Sequence, residues 1–409
     1  MIIKLHNICV TGKNDNHDGS FRLQIYYFLC ILISILFFSA YPLVSLPLIA
    51  LSSPFVNNYA RWTMSLLMIF YFILLYSSIT PFSDIAEYML IYRGVTDVDI
   101  FSFGRFGGGI EIFILALMRL VYFISDGNEY LFLFFCFTII QIFLFVFCYR
   151  VNRRLSCLYF LVFNLSYAYY SFNAYFLRSM LSAVFLINAF LFISKKKYVY
   201  YFFAIISHLS SVLYIGVWEY LRARNKKLKI WVASMATVTI ICCFIFLRDR
   251  IEFYLFKSSG NSMGYVQVVT IAFNYILCLL LLFFSNARKE LSTQRIILFL
   301  TFFFILALVT YKIPQNLGIR ISILLYALSP FFLYPLLTSC NVTILNKIKS
   351  LSLYMIVNCC FLFVVLYKGD DISNHMRSNP LDTSFIDLLI KDIDYFVKGY
   401  YPVIYSRDE

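Results

Sequence analysis

Three ionisable side chains stand inside or beside long apolar blocks and are the first candidates for chemistry: Arg178, His208 and Arg320. Each costs about 2.5–3.5 kcal/mol at the centre of a membrane helix on insertion scales, so its presence asks for a reason. Arg178 follows the turn Ser171-Phe172-Asn173-Ala174-Tyr175. It either snorkels to an interface or grips a phosphate or carboxylate through its planar guanidinium. His208 lies beside Ser207, Ser210 and Ser211. The plain reading is a neutral histidine bonded to a neighbouring helix. The sharper one is a polar cavity in which the imidazole acts as general base or phosphate partner. Arg320 opens an apolar block after Lys312, Pro314 and Asn316 and reads equally as an interface anchor.

Upstream, Asp84, Tyr88 and Tyr92 are spaced i, i+4, i+8, which puts them on one helical face. Arg93, Arg105 and Glu111 follow. This is either a solvated face or a binding face. In the second case Asp84 and Glu111 are acid–base candidates, and Tyr88, Tyr92 and Arg93 are substrate contacts. The run Gly107-Gly108-Gly109 has no preceding strand and no following Lys-Ser/Thr, so it is not a phosphate-binding loop. Tyr167, Tyr169, Tyr170, Phe172, Tyr175 and Phe176 crowd the turn before Arg178. They form an interfacial aromatic belt, or a platform for sugar rings or an isoprenoid tail.

The elements that must carry these residues follow from composition. Of 409 residues 62% are hydrophobic and 13% charged, and the mean hydropathy is +0.81. Soluble domains hold about 45–50% apolar and about 25% charged residues. The apolar blocks are about 17–25 residues long, the length that crosses roughly 30 Å of hydrocarbon as helix, whereas barrel strands are segments of about ten alternating residues. The expected fold is therefore an all-α polytopic bundle of about ten to twelve membrane helices over residues 1–367. A short soluble tail, 368–409, has one amphipathic stretch near 385–397. Spans are expected at 24–51, 63–80, 130–149, 155–172, 176–193, 198–218, 229–247, 264–284, 295–311, 320–338 and 350–367.

The net charge of +13 does not indicate nucleic acid. Lys and Arg collect in short loops, as in Arg150–Arg154, Lys195–Lys197 and Arg222–Lys229, which the positive-inside rule places in the cytoplasm. Two consequences follow. Residues 107–125 should be re-entrant or lie at the outer surface. Residues 198–218, basic at both ends, are either two half-helices broken around Ser207 to Ser211 or a crossing with one exceptional loop. The N-terminus then lies outside, and its apolar stretch is too long for a signal-peptide core. The 11 cysteines include no CxxC pair, so neither zinc nor redox chemistry is indicated and buried thiols are expected.

The order of these elements carries a resemblance. Asp84-Ile-Ala-Glu-Tyr88-Met-Leu-Ile-Tyr92 is followed by Gly109-Ile-Glu111 and a basic inner loop. Phe172-Asn173-Ala-Tyr-Phe-Leu-Arg178-Ser-Met-Leu-Ser-Ala183 comes next, then Lys195-Lys196-Lys197 and Ser207-His208-Leu-Ser-Ser211. Over residues 60–225 this resembles the EpsG-like branch of the Wzy-type polymerases of O-antigen, capsule and exopolysaccharide. Ser179 and Ile112 stand where that family often has Gln and Pro. The resemblance implies a multi-pass protein of the bacterial inner membrane. It would transfer a growing glycan from undecaprenyl diphosphate onto a lipid-linked repeat unit at the outer face. It also implies contact with membrane lipid and a chain-length-determinant protein, with no metal, cofactor or nucleic acid. Arg178, Arg320 or Arg93 would meet the diphosphate, His208, Asp84 or Glu111 would take the proton, and Tyr88, Tyr92 and Asn173 would contact substrate. The competing class is a flippase or transporter of the same lipid-linked oligosaccharide. A ligase or acyltransferase is a third option.

Overall fold

The computed structural model describes residues 32, 36–82, 84–97, 111–192, 194–223, 225–227, 229–234, 265–310, 327–368 and 383–402. Arg105, Gly107 to Gly109, Arg320 and parts of the expected spans 24–51, 229–247 and 320–338 lie outside them. Every regular element among the described residues is helical. This suits a bilayer, because a helix satisfies its backbone groups within its own segment.

Helix α1 (Pro42–Ser52) leads through a 3-10 turn into α2 (Asn58–Ser77). The α2 start is set by Asn57, whose side chain accepts from the Ala60 N–H at 2.8 Å. It therefore begins five residues before the expected 63 and carries Arg61 within its first turn. Helix α3 (Asp84–Arg93) follows, then α4 (Phe113–Ser125) and α5 (Glu129–Val151). The turn between α4 and α5 is tight because Asp126 and Gly127 both have positive φ, 52° and 80°. Asn128 then caps α5 by accepting from the Leu131 N–H at 3.0 Å.

The expected span 155–172 is divided into α6 (Ser156–Asn164) and α7 (Tyr167–Tyr175), with Ser166 at the break. Helix α8 (Leu177–Leu191) turns back beside α5. Near its end the Asn188 amide receives Arg150 at 3.2 Å and donates to the Phe143 carbonyl at 2.8 Å. The basic turn with Arg150 and the C-terminus of α8 thus mark one end of the bundle, the basic end. Ser77 and Glu129 mark the other.

Residues 198–218 form a hairpin of two short helices, α9 (Lys197–Ser207) and α10 (Ser211–Arg222). His208 breaks the helix with φ −158° and ψ 118°, and the Ser211 N–H returns to the His208 carbonyl at 3.1 Å. The two feet close on each other: Glu219 accepts from Lys197 at 2.5 Å and from the Tyr201 hydroxyl at 2.7 Å. Arg222 donates to the Phe192 carbonyl at 2.9 Å, fixing both feet at the basic end. Of the two options for this segment the broken pair is the one adopted.

The remaining described helices are α11 (Tyr265–Phe283), α12 (Leu291–Thr310), the short α13 (Tyr334–Thr338), α14 (Ile344–Lys368) and α15 (Phe385–Lys398). Three described stretches, Asn58–Ser77, Glu129–Val151 and Ile344–Val364, are long and apolar enough to cross a membrane. Helices α4 and α8 are apolar but shorter. The hairpin leans on α12 through Tyr214 stacked on Phe303, with centroids 4.1 Å apart.

The tail is docked on the bundle. Phe385 packs on Phe38 with centroids 5.0 Å apart. The Tyr401 hydroxyl donates to the Ser77 carbonyl at 2.6 Å, and the Tyr401 N–H donates to Glu129 at 3.0 Å.

Candidate functional site

The tip of the α9–α10 hairpin, the N-terminus of α8 and the segment before α4 meet at Glu111. Its carboxylate is 4% exposed. One oxygen accepts from Arg178. The other receives His208 Nδ1 and the Leu209 N–H, both at 2.8 Å. Helix α8 starts at Leu177, so Arg178 stands in its first turn, facing the hairpin tip. Because the hairpin breaks at His208, the next backbone N–H is free of the helical ladder and turns to the carboxylate.

What holds Glu111 in place lies two residues on. Phe113 enters an aromatic cluster with Phe185 of α8 and Phe203 of α9, at centroid distances of 5.6 and 5.8 Å. Such pairs contribute about 0.5–1.5 kcal/mol each beyond the area they bury. The cluster ties together the three elements that supply the site.

Tyr88, on the buried face of α3, supplies the next link. Its hydroxyl accepts from Arg178 Nε at 2.8 Å, and the guanidinium carbon lies 5.7 Å from its ring centre. Burial pushes the Tyr88 phenol up to about 12, only partly opposed by the Arg178 charge, so it stays a neutral hydroxyl. Asp84, one turn earlier, is close enough to act electrostatically on both Tyr88 and Arg178. Glu111 precedes α4, outside the spanning helices. Burial pushes its carboxyl up, but His208, Arg178 and the Leu209 N–H outweigh this and hold it down at about 2.

The arrangement has a chemical reading. An ionised carboxylate only accepts hydrogen bonds, so the Nδ1 facing it carries the proton. The other ring nitrogen, Nε2, points away from the carboxylate and has no partner among the described residues. Arg178 and His208 each keep 19% of their side-chain surface accessible, against 5% for Glu111. The guanidinium and the imidazole thus lie on the accessible side of the site, with the carboxylate behind them. Among the described residues no three His, Cys, Asp or Glu side chains converge as a metal site would require.

Of the residues singled out by sequence, Asp84, Tyr88, Glu111, Arg178 and His208 are brought together. Arg93 and Tyr92 are engaged elsewhere. Arg93 pairs with Glu129 at 2.6 Å, in the joint that also holds Tyr401. Tyr92 stacks on Phe132 at 5.0 Å and donates to the Asn128 carbonyl at 3.2 Å. The physical reason is length: a stripe over i, i+4, i+8 runs about 12 Å along the axis, so its two ends meet different neighbours. Asn173 is fully buried in α7, among Tyr76 and Tyr169. Arg320 lies outside the described residues. The Leu209 N–H was not foreseen; the Ser-rich break around His208 was the signal that backbone would be exposed there.

A helical bundle whose ionisable residues gather at the tip of a hairpin, remote from its charged feet, defines a polytopic membrane protein with an internal polar site. The chain belongs to the EpsG family, whose model matches residues 81–377. That membership assigns it a general polysaccharide-polymerase-like role. No curated protein and no solved structure is detectably similar to it.

Proposed function

We propose that the protein is a polysaccharide polymerase of the bacterial inner membrane. It transfers a growing glycan from undecaprenyl diphosphate onto a lipid-linked oligosaccharide repeat unit at the outer face. The observation that carries the reading is the shared carboxylate. Glu111 holds a guanidinium and an imidazole side by side, although buried charge in a membrane bundle is costly and marks function by default.

The acceptor hydroxyl gives its proton to His208 Nε2 as its oxygen bonds to the anomeric carbon of the donor glycan. The bond from that carbon to the diphosphate oxygen breaks, and its electron pair leaves with undecaprenyl diphosphate. His208 is the base because Glu111 fixes its Nδ1–H, the role a carboxylate plays behind a catalytic histidine. Glu111 itself is a poor base, since both its oxygens are occupied and its charge is stabilised. Arg178, steadied by Tyr88, places positive charge beside the leaving diphosphate.

The test is a gene deletion examined for surface polysaccharide, complemented with wild type, Arg178→Gln or His208→Gln at matched membrane levels. A deletion strain whose carriers bear one repeat unit, restored to a ladder by wild type and by neither variant, supports the reading. A normal ladder without the gene would sink it, and loss of all surface repeat units would favour a flippase.

A further inference from the structure

At the basic end, on the side of the bundle opposite in depth to the hairpin tip, a second charged feature is not used by the chemistry above. Arg61 of α2 is about nine-tenths buried. Its guanidinium donates only to neutral acceptors: the Ser53 carbonyl at 3.0 Å, the Val56 carbonyl at 2.9 Å and Asn58 Oδ1 at 3.1 Å. The titratable groups acting on it are Cys157, Arg154 and Tyr149, none a carboxylate. Arg153, exposed beside it, lies 5.3 Å from the centre of the Tyr149 ring, and no described carboxylate pairs with it.

A small cleft of about 40 Å³, open to the outside, is lined by both arginines together with Ser65, Ser156, Trp62 and Tyr149. One wall is cationic, carried by the two arginines. The other is aromatic, and Trp62 is 45% exposed on the flank of α2, one of the helices long and apolar enough to cross a membrane. A buried cation without a carboxylate is expensive unless an anion completes it. An arginine pair suits a phosphate group, and a basic pocket between membrane helices beside an aromatic flank suits an anionic headgroup with its acyl chains.

We infer that this cleft binds the phosphodiester of an anionic phospholipid, with Arg61 and Arg153 on the phosphate and Trp62 against the acyl chains. The inference is independent of the polymerase reading, because it concerns neither Glu111 nor the hairpin. Phosphate is the shared chemistry of a lipid headgroup and the free ion, and the aromatic wall argues for the lipid.

The full-length protein in detergent is titrated with phosphatidylglycerol, with phosphatidylcholine and with inorganic phosphate, and occupancy is read by native mass spectrometry. Phosphatidylglycerol is expected to bind about tenfold more tightly than phosphatidylcholine. Arg153→Gln, at an exposed position, should abolish that preference. Trp62→Ala should weaken the lipid while leaving any binding of inorganic phosphate unchanged. Equal binding of the two lipids, or an Arg153→Gln protein indistinguishable from wild type, overturns the inference. So does inorganic phosphate that displaces the lipid at matching concentration, which would mark a site for the free ion.

Discussion

At the scale of the residue, the contact that organises the site is one carboxylate shared by two cationic-type side chains. Removing a base from an acid–base step typically costs about 10²–10⁴-fold, so His208→Gln should reduce chain elongation to single repeat units while the protein remains at its usual level in the membrane. Glu111→Gln should lose elongation to a similar degree. Glu111→Ala should in addition lower stability by about 3–5 kcal/mol, because it takes the acceptor out of a buried pair; a thermal melt of the purified protein separates the two variants. Tyr88→Phe removes a single hydrogen bond to Arg178, worth about 0.5–1.5 kcal/mol, or 1.5–3 where the donor is charged. Its expected result is a ladder of shorter chains. A full-length ladder from Tyr88→Phe would show that Arg178 needs no steadying by the phenol.

Much of this site was legible in the sequence as isolated oddities. Arg178 and His208 stood out because charge is rare in apolar blocks, and Glu111 because it precedes one. What could not be read was their common partner, since Glu111 lies 67 residues from Arg178 and 97 from His208. Arg93 illustrates the converse. Its type and position suited a diphosphate ligand, yet its partner Glu129 waits at the start of the next long helix. Arg61 lies before the expected span start at 63, and only the Asn57 cap, which starts α2 at Asn58, brings it into the helix.

At the scale of the element, the hairpin is the feature with the clearest consequence for topology. Hydropathy alone gave one apolar stretch of crossing length with basic residues at both ends. The break at His208 resolves the conflict by returning the chain to the side from which it came, and the Lys197–Glu219 pair holds the two feet together. Ser194 and Asn225, both exposed, should therefore lie on one side of the membrane. Thiols introduced by Ser194→Cys and Asn225→Cys should both react with an impermeant maleimide only from the cytoplasmic side. Reaction of one thiol from each side would mean that the segment crosses once.

At the scale of the whole molecule, the tail acts as a clasp over the far end of α2 and α5. Ser384 caps α15 by accepting from the Asp387 N–H at 3.0 Å, and Gly399, with φ 73°, ends it. The chain then delivers Tyr401 into a buried slot against the Ser77 carbonyl. Tyr401→Phe leaves that carbonyl without its donor and should cost about 1–3 kcal/mol, seen as a lower melting temperature and faster proteolysis of residues 385–402. Composition could show this helix as amphipathic, but not which surface it would cover.

The length of α9 sets a depth. Its 11 residues rise about 16 Å, half of a hydrocarbon layer of about 30 Å. If the Lys195–Lys197 turn lies at the inner surface, as the positive-inside rule expects, His208 stands near the midplane. The pyrophosphate of a lipid carrier, by contrast, rests at headgroup level. On the polymerase reading proposed above, sugar and leaving group would have to sink some 15 Å below the outer surface to reach His208, and the hairpin would act as a ruler for the depth of glycosidic bond formation.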